Sequence, residues 1–169
     1  MSKLILVGSD VIKINDRIIT DLADGDAGVL AFAGNLVSVR TGKEGNNTYA
    51  FNEGGRQCTL ALNVLRGSED DIFLNTLLAR MKSDFSSFVM LTGEIIKSKG
   101  DGLGNVQDEV YILSGGVFAK EVGVKVNTSG GTDQTISSWN FIFTSAPRTI
   151  GENKSSKKDD SHGKKGGNK

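Results

Sequence analysis

Proline is almost missing: the 169-residue chain has 1, against 22 glycines, and it has only 1 cysteine, 1 histidine and 1 tryptophan. Each scarcity excludes something. Cys58 has no second cysteine for an intramolecular disulfide, and its alternation with Leu60 and Leu62 marks it as a core residue rather than a reactive thiol. His162 lies in a polar C-terminal stretch, so a Ser/His/Asp or Cys/His site has no base, and one cysteine with one histidine makes no zinc site. No apolar run approaches the roughly 20 residues of a membrane span, and residues 1–9 lack the apolar stretch of a signal peptide. A protein made in a cytoplasm, with no membrane association, is expected, so the sequons at Asn46 and Asn127 carry no weight.

Ligand-binding motifs are missing too. Gly100, Gly102 and Gly104 fit neither a phosphate-binding loop nor a dinucleotide fingerprint, and no helical pattern follows them. Asp21, Asp24 and Asp26 invite a calcium reading, but a loop counted from Asp24 needs glutamate where the chain has Asn35. The expectation is therefore no enzyme, no catalytic residue, no cofactor and no metal.

Net charge is zero, from 20 basic and 20 acidic residues, but it is unevenly spread. Residues 152–169 hold six lysines against Glu152, Asp159 and Asp160, net +3, which leaves 14 basic and 17 acidic residues, net −3, on residues 1–151. A mildly acidic body is not built to grip nucleic acid. The tail has no apolar residue and reads, by composition, as disordered. The division is one domain, 1–151, and a lysine-rich tail, 152–169.

What is present is mostly strand and turn. The clearest stretch is residues 58–64, where Cys58, Leu60, Leu62 and Val64 fall on one face and Thr59, Ala61 and Asn63 on the other, the period of a half-buried strand. Arg66 and Gly67 break it. Ser68 then reads as a helix N-cap with Asp71 as its capping-box partner, and Glu69, Asp70 and Asp71 set negative charge at the positive end of the helix dipole. Leu74, Leu77, Leu78, Met81 and Phe85 recur at helical spacing as one apolar stripe. Upstream, residues 11–14 and 17–20 flank Asn15-Asp16, a two-residue hairpin connection, and residues 29–32 and 36–40 are further strands. The segment at 4–7 reads as an added strand or an arm packed on a neighbour. Residues 40–56 are polar apart from alternating Tyr49 and Phe51, and read as a long projecting hairpin. Downstream, residues 88–97, 109–120 and 136–144 are strands, the second passing through Gly115-Gly116 as a bulge or a close backbone approach, the last with Trp139, Phe141 and Phe143 on one face. Proline and lysine commonly guard exposed sheet edges, so a β-rich chain with one proline needs another cover: pairing in an oligomer, or closure into a barrel.

Several segments together resemble the tail tube proteins of contractile-tailed bacteriophages, a family also catalogued as phage structural proteins. They are Gly8-Ser-Asp-Val-Ile with Asn15-Asp-Arg-Ile-Ile-Thr-Asp-Leu-Ala-Asp-Gly-Asp26; Thr41-Gly-Lys with Asn47-Thr-Tyr-Ala-Phe-Asn52; and Gly55-Arg-Gln leading to Arg66-Gly-Ser-Glu-Asp-Asp-Ile-Phe-Leu-Asn75. Gly100-Asp-Gly-Leu-Gly-Asn105, Leu113-Ser-Gly-Gly-Val-Phe118 and Ser145-Ala-Pro-Arg148 complete them. The likeness spans about residues 8–150 and rests on the order and spacing of these segments.

The resemblance implies a mainly β fold, two packed antiparallel sheets with one flanking helix, similar to the type VI secretion tube protein. It further implies a virion structural protein, assembled in the host cytoplasm, whose homohexameric rings stack into the inner tail tube. That tube would conduct double-stranded DNA during genome ejection without binding it specifically. Implied partners are the tail sheath, baseplate, tail terminator and tape measure proteins. On this footing the ring-stacking hairpin would use Tyr49 and Phe51 as apolar anchors and Arg40, Lys43, Glu44 and Arg56 as rim charges. Glu69, Asp70 and Asp71 would face the sheath. The alternatives are a tube carrying protein effectors in a secretion or contractile injection system, and a monomeric β-sandwich binding module.

Overall fold

The computed structural model describes residues 5–6 and 10–151; the lysine-rich tail, 152–169, and Leu4 and Val7 of the lead-in lie outside them. Among the described residues eleven strands and one α-helix follow in chain order: β1 (Ile5–Leu6), β2 (Val11–Ile14), β3 (Arg17–Ile18), β4 (Gly28–Phe32), β5 (Val37–Thr41), β6 (Asn47–Phe51), β7 (Cys58–Leu65), α1 (Glu69–Ser83), β8 (Leu91–Gly100), β9 (Val106–Phe118), β10 (Ile136–Phe143) and β11 (Arg148–Ile150). Ile5 and Leu6 are the added strand, paired antiparallel with the end of β8.

Two antiparallel sheets pack on each other, and β9 belongs to both. Its first half pairs with β8 on one side and β11 on the other, while Val117 and Phe118 pair with β10. Between the halves the register slips by one residue, because Leu91 stands opposite Gly116 but Gly93 stands opposite Leu113. That is the bulge expected at Gly115-Gly116. Gly115 has φ +64°, and a Cβ on Gly116 would come within 2.7 Å of two carbons of the Phe143 ring, so the bend requires glycine at both positions. The strand path β3-β2-β8-β9-β10-β7-β4 is open at both ends.

Alternation places the core. Cys58, Leu60, Leu62 and Val64 of β7 face Phe143, Phe141, Trp139 and Ser137 of β10 across the register, and all are buried. Ile12, Ile14, Leu91 and Leu113 come from the other sheet, and Leu74, Leu77 and Leu78 from α1. The hairpin at Asn15-Asp16 forms as expected, with φ of 49° and 64°, the left-handed pair of a type I′ turn.

Three expectations are corrected. The helix stops at Ser83, with Asp84 as its C-cap, so Phe85 is not the last residue of the apolar stripe but 61% exposed beyond it. β8 begins at Leu91 rather than at residue 88. The hairpin read at 40–56 spans 37–51 instead: the expected strand at 36–40 is present as β5 and forms one side of it. Among the described residues no helix is long and apolar enough to cross a membrane.

Candidate functional site

The hairpin of β5 and β6 forms a two-stranded sheet separate from the body, and all ten of its strand residues are exposed. Its register sets Val37 opposite Phe51 and Val39 opposite Tyr49. Successive residues of a strand face opposite ways, so these four share one face, an apolar stripe that stays about half or more exposed among the described residues. Tyr49 is 68% and Phe51 56% exposed. Arg40 pairs with Thr48 and stands on the other face, while Lys43 and Glu44 ride the tip, where Gly45 turns with φ +86°. Arg56, just past the hairpin, stacks its guanidinium over Phe51 at 5.5 Å and pairs with Glu53 at 3.3 Å.

The base of this arm is pinned. Asn52 N–H donates to Leu36 O at 2.7 Å, and Gly55 lies so close to Asn35 O that a Cβ there would meet it at 2.6 Å. A groove of about 890 Å³ opens beside the base, lined among others by Phe32, Leu36, Val37, Phe51 and Pro147. Tyr49 and Phe51 were legible in the sequence from their alternation. Val37 and Val39 were not assigned to the arm, because a Val-Ser-Val run reads equally well as body strand until its partner is known.

At the start of α1 the three acids part company. Glu69 is exposed. Asp70, read as a surface acid, is corrected: it is 1% exposed, and its carboxylate accepts from Arg17 Nε at 2.9 Å, Thr20 N–H at 2.8 Å and Asp21 N–H at 2.9 Å. Burial pushes this carboxyl up, but the Asp21, Arg17 and Thr20 donors outweigh it and hold Asp70 below the ordinary range. Asp71 is also engaged, accepting from Trp139 Nε1 at 3.0 Å and Gly67 N–H at 2.9 Å. Ser68 caps as expected, its Oγ accepting from Asp71 N–H, but the return bond goes to Gly67 rather than to Ser68. Of the three, only Glu69 is free to face a partner.

A second charged cluster had no signal in the sequence. Glu109, buried on β9, is bonded by Arg148 of β11, Lys99 of β8 and Tyr111 Oη. The Arg148 and Lys99 donors, working against burial, bring its carboxyl down to about 2. Tyr111 shares β9 with Glu109, but Lys99 and Arg148 come from the strands on either side, β8 and β11, and strand pairing brings them to it. Among the described residues no group of three or more His, Cys, Asp or Glu side chains gathers as a metal would require, Asp21, Asp24 and Asp26 included.

No protein-family model matches the chain, and no curated protein matches it at a significant level.

Proposed function

We propose that the protein is a self-assembling structural subunit, the tail tube protein of a contractile-tailed bacteriophage, whose hexameric rings stack into a conduit for double-stranded DNA. The observation that carries this reading is the arm: a pinned, separate hairpin whose Val37, Val39, Tyr49 and Phe51 face is exposed among the described residues. Burial of such a face is worth about 25 cal/mol per Å². An exposed apolar stripe marks an interaction surface; in a monomeric binding module it would take a foreign partner, and sedimentation showing only monomer would favour that alternative. In a tail tube the stripe takes the ring stacked above, with Arg40, Lys43, Glu44 and Arg56 on its rim.

The open sheet ends support the same reading, as does the outward face of β7 and β10, where Thr59, Ala61, Asn63, Ser138, Asn140 and Ile142 carry no charge. A bore lined by these six side chains offers DNA phosphates little to hold them, the nearest cations, Arg66 and Lys125, standing at its edge beside Asn63 and Ser138. Glu69 is the contact offered to the sheath, and an exposed pair of this kind contributes little, which suits a sheath that slides.

Electron micrographs of the purified protein test the proposal. Rings and hollow tubes are expected; isolated particles at high concentration, with a β-type circular dichroism spectrum, would overturn it.

A further inference from the structure

Two cations of a net acidic body share one groove. Arg66 follows β7, Lys125 lies in the segment between β9 and β10, and both line a groove of about 560 Å³ together with Asn63, Gly123 and Ser138. No carboxylate side chain is in its wall, and among the described residues neither cation makes an ion pair. Residues 1–151 carry net −3. Lys13, Lys82, Lys97 and Lys99 each meet a carboxylate, so leaving Arg66 and Lys125 without one runs against the habit of this surface.

The Arg66 guanidinium is fixed by uncharged partners. Nη2 donates to Gly123 O at 3.0 Å and to Ile136 O at 3.2 Å, and Nε donates to Gln134 O at 3.0 Å. Three carbonyls orient the group without cancelling its charge, and among the described residues they leave the two N–H donors of Nη1 unused. The other polar side chains of the groove are engaged already. Ser138 Oγ donates to Asn63 Oδ1 at 2.8 Å, and Asn63 Nδ2 donates to Asp26 O at 3.3 Å. Backbone donors remain, since the N–H groups of Gly123, Val124 and Lys125 meet no backbone acceptor among the described residues. At Gly123 a Cβ would meet nothing within 4 Å, so packing does not demand glycine there, and open space lies where a side chain would be.

We infer that Arg66 and Lys125 form a contact site for the phosphate backbone of a nucleic acid. A held guanidinium, a mobile ammonium and unpaired backbone N–H groups are the donors that phosphate oxygens take. Asn63 and Ser138 belong at once to this groove and to the uncharged outward face of β7 and β10, so a duplex lying along that face brings its phosphates to the two cations. Both are exposed, and salt screens such a contact. The contact is therefore weak and independent of sequence, and it guides a moving duplex without arresting it. This inference rests on the reading of that face as the wall of a DNA conduit, and it names the residues that touch the DNA there.

Fluorescence anisotropy tests it, with a labelled DNA duplex of about 12 base pairs and the dilute full-length chain at about 50 mM salt, where binding does not require rings. The lysines of 152–169 contribute alike to every variant, so differences between variants report the groove. Lys125→Glu should weaken binding about 10-fold and flatten its dependence on salt, while Lys125→Arg should stay within about 2-fold of wild type. Arg80→Glu, the same reversal at an exposed position on α1, should also stay within about 2-fold. Equal losses from Lys125→Glu and Arg80→Glu would reveal a general charge effect and overturn the site, as would no loss from either. Inorganic phosphate at constant ionic strength separates the sources: if it raises the melting temperature of wild type but not of Lys125→Glu, while duplex affinity is the same in both, the groove takes free phosphate and the nucleic-acid assignment falls. A polyglutamate peptide bound as tightly as the duplex, with the same order of variants, would give the groove to an acidic protein and overturn that assignment too. A groove indifferent to DNA in a protein that forms normal tubes would overturn the site and leave the tube reading standing; the expected variant order in a protein that forms no tubes would uphold the site and remove the tube.

Discussion

At the scale of single residues, Asp70 and Glu109 hold parts of the chain that are distant in sequence. Asp70 ties the start of α1 to the segment after β3, and three N–H donors converge on it in a nearly dry site. Asp70→Asn offers those donors one oxygen and an NH₂ group that opposes them. It should cost about 1–3 kcal/mol of unfolding free energy, read from the shift in denaturant midpoint. Glu69→Gln, at an exposed neighbour, should stay within about 0.5 kcal/mol of wild type. Equal stability of both variants would remove the structural role given to Asp70. Glu109 makes a prediction in pH. Its carboxyl lies at about 2 in the folded chain against an ordinary 4.5, so its contribution is complete above 4.5 and is lost as pH falls toward about 2. The melting temperature of the wild type should therefore fall more steeply over that interval than that of Glu109→Gln, and parallel curves would show that the Lys99 and Arg148 contacts do not discriminate between charge states.

At the scale of elements, the arm and the helix divide the work. The helix is locked into the body by Leu74, Leu77 and Leu78, and its first turn is occupied by Trp139 and Arg17 contacts. Little of it is left for a partner beyond Glu69. The arm is the reverse, a hairpin with its apolar stripe outside and its attachment confined to the base. Replacing Tyr49 and Phe51 together by serine removes no buried contact of the body, so the melting temperature should change by no more than a few degrees, in line with surface substitutions. Stacking should be lost. Sedimentation of the variant is expected to show at most single rings, and tubes of normal length would show that this face is not the stacking surface.

At the scale of the whole molecule, the open strand path sets what the protein needs. Among the described residues the sheet ends in β4 with its outward backbone groups unpaired, an edge open to another strand. The tail is separate from this design. Residues 152–169 have no apolar side chain to add to the core, and the last described contact, Gly151 N–H on Asp108 O, already closes the β9 edge. A chain truncated after Gly151 should fold with an unchanged melting temperature and form rings as before; failure to form rings would give the tail a role in assembly.

Periodicity, capping and turn chemistry act over a few residues, and what they encode was readable along the chain. The β7 alternation, the Ser68 cap, the Asn15-Asp16 turn, the aromatic face of β10 and the Gly115-Gly116 bulge each follow from neighbours in sequence. So does the conclusion that the molecule is mainly β with a single helix. Pairing is a different matter, because a strand's pattern states that one face is buried but not which strand lies beside it. Val37 and Val39 therefore looked like body residues until β6 was placed opposite them, and Asp70 looked like a surface acid because a charge in a first helical turn is satisfied equally well by water. Tertiary structure decided these points, since burial and partnership are properties of the surroundings that long-range packing assembles.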